Sequence, residues 1–80
     1  MKKIFKAKIT FHITENHPNV EYVSDISKPL EFEDTYTMDT DFFNDKEEIL
    51  NDIKHDLKLV AGGGYDTENI YNVKFDIKEI

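Results

Sequence analysis

Five carboxylates in the stretch "TDFFNDKEEILNDIKHDLKLV" (residues 40–60) share a spacing. Written as a helix, Asp41, Asp45, Glu48, Asp52 and Asp56 follow one another at steps of four, three, four and four residues. At about 1.5 Å rise per residue, such steps set neighbouring carboxylates roughly 4.5–6 Å apart along the axis. Successive phosphates along one nucleic-acid strand have spacing of that order. The chemistry on offer is electrostatic: a row of negative charge that a basic protein groove would accept in place of nucleic acid. Asp39 extends the row at its start, and Leu59 ends it as an exposed apolar residue fit to anchor a contact. The same residues have a plainer explanation. Acids are favoured in the first turns of a helix, and an amphipathic helix needs a charged outer face, so a charge run is more often only a solvated face.

The remaining spacings match no chemical motif. "AGGGYD" (61–66) is the only glycine-rich stretch. A phosphate-binding loop needs glycines ahead of a helix, where backbone amides point at the anion. Here they follow one, so they read as a helix stop and a turn with Tyr65 at its tip. His12, His17 and His55 include no pair at the helical i, i+4 spacing that chelates zinc, and read as solvated side chains. A calcium loop needs an oxygen ligand at its fifth position and glycine at its sixth. Counted from Asp39, the fifth is Phe43; counted from Asp66, the sixth is Tyr71. The sequence thus offers no catalytic residue, metal ligand set or cofactor motif.

Composition narrows the partners. The chain of 80 residues carries a formal charge of −7, unevenly placed. Residues 31–56 hold ten acids against Lys46 and Lys54, a local charge of −8. All ten basic residues are lysine. Direct nucleic-acid binding rests on neutralising phosphates, often with bidentate arginine, and neither the charge nor the composition supplies that. No apolar run approaches the roughly 20 residues of a membrane span. Lys6 and Lys8 interrupt what a signal peptide would keep apolar. With no cysteine for disulfides, the expectation is a cytoplasmic protein.

The elements that position the row follow from periodicity. Phe5, Ala7, Ile9, Phe11 and Ile13 alternate with polar residues, the pattern of a half-buried strand. "ENHPN" (15–19) is a turn, and "VEYV" (20–23) is compatible with a short strand. Leu30, Phe32, Tyr36 and Met38 alternate again, with Asp34 on their apolar face, which calls for a bulge or an open edge. Asn44 and Glu47 have the spacing of a capping box, although a start near Thr40 or Asp41 also fits and would turn Phe42 inward. Ile49, Leu50, Ile53, Leu57 and Val60 form the buried stripe. Tyr71, Val73, Phe75 and Ile77 mark the last strand. The expectation is one α+β domain, 1–80. A mainly antiparallel sheet of three or four strands carries a single helix on one face, with the first long strand central.

One helix on one sheet leaves little depth for a catalytic pocket. The expected function is therefore a non-enzymatic interaction or regulatory protein, binding a basic partner protein through the acidic helix side. In its sharper form it is a phage-type inhibitor that imitates nucleic-acid phosphates and blocks a nucleic-acid-binding protein. The alternatives are self-association through an exposed edge strand, or a small enzyme whose site forms between subunits around His12 or Tyr65. A monomer and a homodimer both fit.

Overall fold

A computed structural model describes residues 1–64 and 67–80. Strand β1 (Lys2–Ile13) runs through the middle of a three-stranded sheet, with β2 (Leu30–Asp39) on one side and β3 (Ile70–Glu79) on the other. Both neighbours are antiparallel to β1, so they are parallel to each other. Helix α1 (Lys46–Ala61) carries the chain from β2 across to β3 and packs on one sheet face. This is the α+β architecture the periodicity implies.

The alternation in β1 decides which face is covered. Phe5, Ala7, Ile9, Phe11 and Ile13 are buried, while the intervening residues stay at least partly open. Ile49, Ile53, Leu57 and Ala61 of α1 lie against them. Burying one such large aliphatic side chain is worth about 1.5–3 kcal/mol, so this seam holds the two layers together. The stripe ends on Ala61 rather than Val60, which is 45% exposed.

Several local expectations are corrected. Residues Val20–Tyr22 form a 3-10 turn, not a strand, so the sheet has three strands. The helix starts one residue later than the Asn44–Glu47 spacing implies. Asp45 is the N-cap and accepts the Glu48 amide at 2.9 Å. Thr40–Phe42 forms a separate 3-10 turn before it, so Phe42 is outside the helix and 82% exposed, and Phe43 packs on the core instead. The β1–β2 register runs from Lys2↔Asp39 to Phe11↔Leu30 without a shift. Asp34 is therefore at an open edge and not at a bulge.

The bulge lies in β3. Thr10 pairs with Lys74, but His12 pairs with Tyr71, which leaves one extra residue on β3. Asn72 lies within that step at φ 53°, in the left-handed region that asparagine tolerates better than most. The extra residue turns Ile70 onto the core face and Tyr71 onto the other. Tyr71, expected on one strand face with Val73, instead stacks on His12 with ring centroids 5.3 Å apart.

The far end of α1 is closed from below. Gly63 and Gly64 have φ of +87° and +98°, and their amides return to Val60 O at 3.1 Å and Leu59 O at 2.7 Å. That is the Schellman arrangement, which satisfies the last helical carbonyls. His17, expected to be solvated, is buried here. Its Nε2 lies 2.6 Å from Ala61 O, and its Nδ1 accepts the Asn19 amide at 3.1 Å. Those two partners require the neutral tautomer with hydrogen on Nε2.

Candidate partner-binding surface

The acidic row is broken up by the fold. Only Glu48, Asp52 and Asp56 lie on α1 itself; Asp45 caps it in extended backbone, and Asp41 belongs to the preceding turn. Several carboxylates already have work inside the molecule. Asp45 holds the Glu48 amide, and Glu48 reaches back to the Asn44 amide at 2.6 Å. Asp56 accepts the Tyr36 hydroxyl at 2.6 Å. Asp39 accepts the Asp41 amide at 3.1 Å and lies 3.4 Å from the Met1 ammonium. The amide bond, and then that cation, hold the Asp39 carboxyl below its ordinary range. Asp41 lies 3.0 Å from the same ammonium. Asp52 is exposed, with no hydrogen bond or ion pair among the described residues.

Leu59, expected as the apolar anchor, is half-buried and sits at the opposite end of the helix from Asp41. The exposed apolar side chain among the acids is Phe42. With Phe43, Glu48, Asn51, Asp52 and His55 it lines an open groove of about 480 Å³ on the outer side of α1. The sequence carried a signal for this. Of two adjacent phenylalanines ahead of a helix cap, only one can turn toward the core, and reading Asp45–Glu48 as the cap puts both outside the helical stripe.

Two contacts show how α1 is rolled on the sheet. The Tyr36–Asp56 hydrogen bond turns one helix flank toward β2. The Lys54 ammonium stands 5.6 Å from the centroid of the Phe75 ring, which turns the other flank toward β3. The acids therefore gather on the β2 side and several lysines on the β3 side. The uncovered sheet face mixes both signs. Lys6 pairs with Glu33 at 3.2 Å and Lys8 with Glu31 at 3.9 Å, each diagonally across β1 and β2.

No group of three or more metal-ligating side chains converges among the described residues. Tyr65, expected at the tip of the glycine turn, lies outside the described residues. No helix among them is long and apolar enough to cross a membrane. Fold and surface together define a small α+β domain, one helix on a three-stranded antiparallel sheet, with its charges sorted by side. Compared with protein families, characterised proteins and solved structures, the chain matches none.

Proposed function

We propose that the chain is a non-catalytic interaction domain that binds a basic partner protein through Phe42 and the carboxylates around it, Asp41, Glu48 and Asp52. The observation that carries this reading is Phe42 itself, an aromatic side chain 82% exposed on the acidic side of the molecule. Exposing a phenylalanine to water is unfavourable, and aromatic residues dominate binding energy when a partner's pocket covers them. The surrounding charge steers a basic partner into register, while Phe42 supplies affinity. Glu48, Asp52 and Asp56, about 6 Å apart along the axis, suit a partner whose groove otherwise holds phosphates.

The test is capture of a partner from lysate on immobilised protein at low and high salt, followed by variants. Phe42→Ala and the pair Asp41→Lys and Asp52→Lys should each abolish capture and leave the circular dichroism unchanged. High salt should release the partner, because the Debye length falls from about 10 Å at 0.1 M to about 3 Å at 1 M. Reversing Asp45 or Glu48 is a poorer probe, since it also removes the helix cap, which costs about 1 kcal/mol. A partner retained equally by both variants would leave the acidic side as solvated surface.

A further inference from the structure

We infer that the outer edge of β3 is a docking site for an extended segment of another protein in which apolar residues alternate with acidic ones. The site lies on the opposite flank from Phe42 and stands whether or not that surface binds anything.

Three observations converge on it. First, β3 is an outer strand, and beyond the bulge it runs regularly from Lys74 to Glu79. No backbone hydrogen bond from a described element reaches its outer side. Second, the helix leaves its apolar side chains only half covered there. Leu50 and Lys54 of α1 with Phe75 and Ile77 of β3 line an open groove of about 400 Å³ along that edge. A strand added to β3 gains main-chain hydrogen bonds, and every second side chain on it faces this groove. Third, the charge is locally positive on a molecule of charge −7. Lys54 and Lys58 lie one turn apart on the helix flank above the edge, and Lys74 and Lys78 project from the strand on the uncovered face. None of the four has a carboxylate partner among the described residues, and Asp76 lies between Lys74 and Lys78 on the same face of the strand. Opposite charges on neighbouring strands attract, so the residues that best occupy the outward positions of the added strand are glutamate and aspartate.

The other free edge is guarded. Asp34 points to the helix side in mid-strand, and its carboxylate accepts the Thr35 amide at 2.8 Å. An inward charge on an edge strand is a known barrier to pairing. A second copy is a poor occupant of the β3 edge. Two-fold pairing of β3 with β3 would bring the Lys54 and Lys58 flanks of both copies together.

The test uses end-blocked synthetic octapeptides: valine alternating with glutamate, valine alternating with lysine, and the glutamate peptide N-methylated at every second amide. Each is titrated at low salt while amide shifts and hydrogen exchange are followed by NMR. The glutamate peptide should protect amides within residues 74–79, and the other two should bind about tenfold more weakly or worse, a difference of about 1.4 kcal/mol. Lys74→Glu with Lys78→Glu should reverse the preference between glutamate and lysine. If that variant does not fold, the peptide comparison on the unaltered protein decides alone. Equal binding of all three peptides, shifts confined to β2 or the Phe42 groove, or a β3-paired dimer in sedimentation without peptide would overturn the proposal.

Discussion

Tyr36 shows how a single side chain binds two layers. Its ring sits half-buried on β2, and its hydroxyl donates to Asp56 on α1 at 2.6 Å. Burial first, and then the Asp56 carboxylate, push the phenol well above its ordinary value of 10.0. The folded state therefore favours the neutral phenol. Its contribution to stability is complete below about pH 10 and is lost as the pH rises past that value. Ultraviolet titration should show a tyrosine ionising well above the ordinary phenol value, and that step should vanish in Tyr36→Phe. If Tyr36→Phe leaves the titration unchanged, the hydrogen bond does not hold in solution. Phe42 lies at the other extreme. Its ring is 82% exposed and stands outside the core cluster of the described residues, and so it carries the functional proposal.

At the scale of elements, the strands were legible where side chains alternate over many residues. β1 is the clearest case, because five buried apolar positions leave one face no other assignment. What stayed hidden depended on register or on small side chains. Tyr71, Asn72 and Val73 alternate without a break in the sequence, and only pairing against β1 reveals the extra residue that turns Tyr71 outward. Ala61 is buried but carries too little apolar contrast to stand out. His17 read as a loop histidine because its carbonyl partner is 44 residues away. Within the candidate site, the acids were visible as a row, but the separate 3-10 turn Thr40–Phe42 that sets Phe42 apart was not. The end of α1 yields a paired prediction. A Cβ on Gly63 would collide with the Pro18 ring, whereas one on Gly64 meets open space, and both glycines have positive φ. Gly64→Ala should cost about 1 kcal/mol from the backbone alone, and Gly63→Ala about 2 kcal/mol or more, in chemical denaturation. Equal losses would mean that the loop carrying Pro18 yields without penalty.

Across the whole molecule, charge is sorted on the helix side and mixed on the uncovered sheet face. Acids gather on the β2 flank of α1 and Lys54 and Lys58 on its β3 flank, while the uncovered face pairs the two signs diagonally. The net charge alone conceals this, which is why a composition-level argument against anionic partners applies to one side and not the other. The central place of β1 has a further consequence, in time rather than in space. Of the three strands, the first to be synthesised pairs along one edge with the last, so the sheet cannot close while residues 70–79 remain in the exit tunnel. Until then β1 has one unpaired edge and its apolar face has lost Ile70. Non-local pairing of this kind is slow compared with local helix formation. Nascent chains stalled with β3 still inside the tunnel should be digested readily by added protease. Chains extended by a linker of about 30 residues, enough to free β3, should resist it. Equal resistance at both lengths would mean that β1, β2 and α1 hold together before the last strand arrives.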